Sequence, residues 1–132
     1  MVQSDQMSQL MGGDRFDVGE VTSPPELDLR PTVRAALADL AAGRPVATIS
    51  ARFHNTLVAA TVRLVREAAH RHGRLPVVLT GGCFQNPRLT EGVLAELSRE
   101  LDVRLHREVP PGDGGIALGQ AIVADAVARG AA

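Results

Sequence analysis

An α/β fold in the order ααβαβα is what this sequence predicts, and three observations carry the expectation. A stripe of apolar residues at helical spacing runs from Ile49 to Ala68. A continuous apolar run, Pro76 to Thr80, stops on two glycines, Gly81 and Gly82. A second short run, Asp102 to His106, lies about one helix further on, so the segment between them has the length of a βαβ crossover.

The elements follow in order. From Pro31 to Ala42 the apolar positions Val33, Leu37, Leu40 and Ala41 recur at helical spacing, with Pro31 suited to a first turn and Gly43 to an exit. Pro45 opens a longer helix whose stripe is Ile49, Phe53, Leu57, Ala60, Leu64 and Ala68, ending at Gly73. Pro76 to Thr80 fits a strand buried on both faces of a parallel sheet. Asn86 suits an N-cap and Pro87 a first turn, ahead of a helix whose inner face is Leu89, Val93, Leu94 and Leu97. Asp102 to His106 (DVRLH) alternates as a strand does, and after VPPGDGG a last helix runs from about Gly114 to Arg129. Residues 1–24 are polar, acidic and glycine-containing without a sustained period, which predicts a flexible leader or the end of a missing preceding segment. Residues 25–132 form the folded unit. Two strands are fewer than the about four to six of an ordinary sheet, so further strands are expected from residues 1–24, from another chain or from a preceding half.

Composition narrows the function classes. The 132 residues suit one domain, and 45% hydrophobic with 22% charged residues argues against disorder. A formal net charge of -1 provides no attraction to a polyanion, and three Phe with no Trp or Tyr leave no platform on which bases could stack. Nucleic acid is therefore not an expected partner. The single cysteine, Cys83, excludes an intramolecular disulfide and a multi-cysteine zinc site. No apolar run is long enough to span a bilayer, and the first residues have neither a basic start nor an apolar signal core, so the expected setting is cytoplasmic with no membrane partner.

The chemistry-bearing residues lie at the strand ends. In open parallel sheets, ligands gather outside the carboxyl ends of strands. Gly81 and Gly82 stand there, ahead of a helix start whose free N–H groups and positive dipole suit an anion; the plainer alternative is a tight βα turn. The stretch PPGDGGIALGQ, Pro110 to Gln120, repeats the design after the second strand. Its Asp113, flanked by glycines, is either a metal ligand beside a phosphate or a simple cap of the last helix.

TGGCFQNPRL from Thr80, followed by HREVPPGDGGIALGQA from His106, resembles the C-terminal end of the carbamoyltransferase family that includes the hydrogenase maturation factor HypF, and ARFHNTL at Ala51 to Leu57 resembles that family's helix before the glycine-ended strand. The resemblance covers about residues 26 to 130. It implies the second half of an actin- and sugar-kinase-like nucleotide-binding domain, in which two related halves close over a nucleotide. It further implies that Gly81, Gly82, Asn86, Gly114 and Gly115 face ATP or a carbamoyl-adenylate, and that Asp113 helps hold a divalent metal. The implied partners are a small-molecule carbamoyl donor, carbamoyl phosphate, and an acceptor protein like HypE, whose C-terminal cysteine takes the carbamoyl group. A complementary N-terminal half or self-association would complete the site.

Family members also hold the metal with two histidines at H-x-x-x-H spacing, whereas His54, His70, His72 and His106 include no pair four apart. His70 and His72, two apart on a helix, point to different faces and are expected at the surface. His54 is either a partly exposed helix histidine or a residue facing the cleft, and His106 is expected to be structural. Cys83 sits near a helix start, which favours a thiolate, but no histidine is placed in sequence to act as its base. Arg63, Arg66 and Glu67 are expected on solvated faces. A complete carbamoyl transfer by these residues alone is not expected. The alternatives are a noncatalytic module that associates through an open sheet edge and a free-standing α/β phosphate-binding protein.

Overall fold

The computed structural model describes Arg15 and residues 27–130; apart from Arg15, the expected leader over residues 1–24 lies outside the described residues. Among the described residues four helices and two strands appear in the expected order. Helix α1 (Arg30–Ala41) carries Pro31 in its first turn. Ahead of it the Asp28 carboxylate accepts from the Arg30 backbone N–H at 2.9 Å and from its guanidinium, and these bonds hold the Asp28 carboxyl below its ordinary range. Helix α2 (Val46–His72) is the longest element.

These two helices meet differently from the expected stripe. Val33, Leu37 and Leu40 are exposed, while Thr32 of α1 and Thr56 of α2 are fully buried. The Thr56 hydroxyl satisfies itself by donating to the Arg52 carbonyl at 2.8 Å. Asp39 of α1 forms an ion pair with Arg52 of α2, and Arg44 reaches the same carboxylate at 3.0 Å. Small residues and an ion pair thus make this contact, and Leu37 and Leu40 of α1 line an open groove with Val46, Ile49 and Phe53. Ala68, also expected inward, is exposed, because α2 has neighbours on two sides and its buried positions are Thr56, Ala60 and Val62.

The core lies between α2 and the βαβ unit. Strand β1 (Val77–Leu79) and strand β2 (Val103–Leu105) pair in parallel, with Val77 opposite Val103 and Leu79 opposite Leu105. Helix α3 (Pro87–Leu97) crosses between them. Val62, Leu79, Leu89, Val93 and Leu97 form the buried cluster, so the expected inner face of α3 holds, with Leu94 half-buried beside it. Burial of a side chain such as Leu97 contributes about 1.5–3 kcal/mol. α2 and α3 approach so closely at Gly92 that a Cβ there would stand 2.7 Å from a Val58 methyl.

The expectation that β1 is buried on both faces fails. Leu79 is 3% exposed, but Val78 on the opposite face is 55% exposed, because among the described residues the helices cover only one side of the two-stranded sheet. Helix α4 (Ile116–Ala128) has no buried residue, and Ile116, Leu118, Ile122, Val123 and Val127 are all exposed. Among the described residues no helix is long and apolar enough to cross a membrane.

Candidate functional site

Parallel pairing places the exits of β1 and β2 at the same end of the sheet, where the two glycine loops meet. After Thr80 the chain turns at Gly81 (φ 97°, ψ 157°), makes one 3-10 turn (Gly82–Gln85) and enters α3 through Asn86. After β2 it passes Pro110 and Pro111 to a second 3-10 turn (Asp113–Gly115) that leads into α4. The Gly81 N–H donates to the Pro111 carbonyl at 2.6 Å, and the Thr80 hydroxyl reaches the same oxygen at 3.4 Å. Across the seam the Gln85 amide nitrogen lies 2.9 Å from where a Cβ on Gly112 would stand. The two loops are one surface.

Each glycine has its own reason. Gly81 occupies a backbone region essentially closed to other residues. A Cβ on Gly115 would stand 2.9 Å from the Pro110 carbonyl oxygen, and one on Gly114 would stand 2.9 Å from the Pro110 ring, so both let the VPPGDGG turn fold onto itself. Gly82 differs. It has no positive φ and is exposed, and a Cβ there would meet nothing within 4 Å.

Asn86 caps α3 as expected, its side-chain oxygen accepting from Arg88 N–H at 3.1 Å and Leu89 N–H at 3.4 Å. Its amide nitrogen lies 3.0 Å from Nε2 of His54, whose Nδ1 lies 2.8 Å from the Ser50 carbonyl oxygen. Beside them the Arg88 guanidinium donates to the Asn55 side-chain oxygen at 3.1 Å. His54, Asn55, Asn86 and Arg88 therefore join α2 to the start of α3 next to the glycine surface.

Asp113 is exposed, and neither its own turn nor α4 is capped by a side chain, so the simple-cap alternative does not hold. Among the described residues no three His, Cys, Asp or Glu side chains converge on a point that could hold a metal, and one carboxylate does not make such a site. Cys83 is an exposed free thiol on the 3-10 turn. His70 and His72 are exposed in the last turn of α2, and His106 is exposed just past β2. Arg66, expected to be merely solvated, bridges at 2.7 Å to Glu100 beyond α3. Sequence reasoning did not single out Gln85, Asn55, Arg88 or Pro111. The pairings that matter span more than 30 positions, and no local pattern signals them.

Joined glycine loops at the carboxyl ends of a parallel strand pair, each opening a helix, define a subdomain of the open α/β kind, with its candidate site at the strand ends. The chain belongs to the HypF-type carbamoyltransferase family: residues 5–120 match the family described as "Carbamoyltransferase, Kae1-like Domain, second subdomain". It is 45% identical over 101 residues to a carbamoyltransferase HypF homolog of Cupriavidus necator, covering 74% of this chain and 26% of that relative. To carbamoyltransferase HypF2 of the same organism it is 40% identical over 111 residues, 83% of this chain and 13% of the relative. The chain thus spans about a quarter of the first of these relatives and less of the second. Its fold superposes on full-length HypF in a phosphate- and nucleotide-bound form with a TM-score of 0.81 at 31% identity, over 96% of this chain and 16% of that one. HypF of T. kodakarensis shares the fold, with a TM-score of 0.71 at 22% identity over 96% of this chain and 17% of that one.

Proposed function

We propose that the chain forms one wall of a carbamoyltransferase site, with ATP or the carbamoyl-adenylate made from it lying over the joined glycine loops. Gly81, Gly82, Asn86, Gly114 and Gly115 line that wall, and Asp113 supplies one ligand to a divalent metal whose other ligands come from outside the described residues. The carbamoyl donor is carbamoyl phosphate, the acceptor is the C-terminal cysteine of a HypE-like protein, and the opposite wall is a preceding half-domain. Gly82 carries the reading. It is the loop glycine for which neither backbone conformation nor packing demands glycine, and its bare backbone is open to a close-lying group. The nucleotide-bound form of the HypF relative supports the choice of ligand, and the uncapped, exposed carboxylate of Asp113 supports the metal.

The test is calorimetric titration of ATP with Mg2+ into the chain and its Gly82→Ala variant, alone and with the complementary portion of a HypF relative added. The expected result is unchanged thermal stability with ATP affinity lowered at least about tenfold, near 1.4 kcal/mol. Equal affinity for the two proteins, or no binding with the complementary portion present, overturns the reading.

A second reading, a noncatalytic module that associates through uncovered surfaces, is favoured by the open face at Val78 and by the absence of any buried residue in α4.

A further inference from the structure

His54 lies between two groups that together decide its protonation pattern. The Ser50 carbonyl can only accept, so Nδ1 carries the proton and donates across the 2.8 Å contact. In the neutral ring this leaves Nε2 as a bare acceptor, facing the Asn86 side-chain nitrogen at 3.0 Å. The orientation of the Asn86 amide follows independently from the other side. Its oxygen must face the Arg88 and Leu89 N–H groups to cap α3, which turns its NH2 toward His54. Two unrelated requirements select the same arrangement.

The consequence is an inventory. The Asn86 oxygen is engaged by two backbone N–H groups, and one of its two amide hydrogens is engaged by His54. What this exposed side chain has left beside the glycine surface is a single N–H donor. We propose that His54 is a positioning residue for the nucleotide turn: as the Nδ1–H tautomer it fixes the Asn86 amide, so that the one remaining N–H is offered to an acceptor atom of the nucleotide. The ligand in this inference rests on the nucleotide reading above; the tautomer and the amide orientation do not.

Without the acceptor on His54, the NH2 of Asn86 has no fixed partner, and only the cap bonds to its oxygen, 3.1 Å from Arg88 N–H and a long 3.4 Å from Leu89 N–H, restrain the amide. A glutamine at position 54 can present its carbonyl oxygen where Nε2 stands, whereas leucine of similar bulk cannot.

The test uses the 15N-labelled 132-residue chain and its His54→Gln and His54→Leu variants. In the unaltered chain the imidazole nitrogen signals are expected to report the Nδ1–H tautomer at neutral pH. The Asn86 side-chain NH2 resonances are expected to persist in His54→Gln and to collapse toward solvent-exposed values in His54→Leu. With the complementary portion of a HypF relative added, ATP with Mg2+ should bind His54→Gln nearly as well as the unaltered chain, and His54→Leu about tenfold more weakly. An Nε2–H tautomer, or unchanged Asn86 resonances in His54→Leu, overturns the positioning role. So does ATP affinity in His54→Leu equal to that of the unaltered chain. If ATP binds none of the three proteins even with the complementary portion of a HypF relative added, the nucleotide reading fails, and the tautomer and Asn86 signals still decide whether His54 orients the amide.

Discussion

Replacing Gly81 by alanine places a side chain on a backbone at φ 97° and ψ 157°, at a cost on the order of 1–3 kcal/mol. Thermal unfolding of Gly81→Ala should show that loss, while the neighbouring Gly82→Ala should unfold with the unaltered chain. The doublet was legible in the sequence as a strand end; the division of labour within it was not, because a positive φ leaves no trace in composition. Asn86 was legible as a cap, since a capping side chain followed by proline is a local signal. His54 was not. Its partner lies 32 positions away, and only the packing of α2 on α3 brings the imidazole to the amide.

Two glycines inside helices make opposite predictions. Alanine at either position gains about 1 kcal/mol in helix propensity. At Gly92 of α3 the new Cβ would stand 2.7 Å from a methyl of Val58, whose β-branched side chain has one strongly preferred rotamer in a helix. Overpacking of about 1–3 kcal/mol should outweigh the gain and lower the melting temperature of Gly92→Ala. At Gly119 of α4 nothing lies within 4 Å, so Gly119→Ala should raise it. Among the described residues every α-helix and strand stands, to within one or two residues at its ends, where periodicity and punctuation put it. The side that each one buries was harder to read: the expected stripe of α1 faces outward because Thr32 and the Asp39–Arg52 pair make the contact instead. An ion pair 13 positions apart competes with apolar spacing in a way that no window of one helix displays.

At the scale of the full chain, the uncovered surfaces dominate. Ile116, Leu118, Ile122, Val123 and Val127 leave α4 apolar and exposed, and Val78 marks an open sheet face. Sedimentation velocity should show concentration-dependent association of the chain, reduced by Ile122→Glu or by adding the complementary portion of a relative; a monomer at every concentration would speak against the second reading. Two strands in a chain of this size already signalled an incomplete sheet, but which surfaces stay bare depends on which sides the helices take. The bond from Gly81 to the Pro111 carbonyl acts at this scale as well. It joins segments about as far apart as Thr80 and Pro111, 31 positions, and it can close only after α3 has crossed over and β2 has found β1. Loop-closure entropy makes such contacts late in folding. The seam between the two glycine loops is therefore expected to acquire protection from hydrogen exchange later than the α2–α3 core during refolding, and to lose it earlier under mild denaturant.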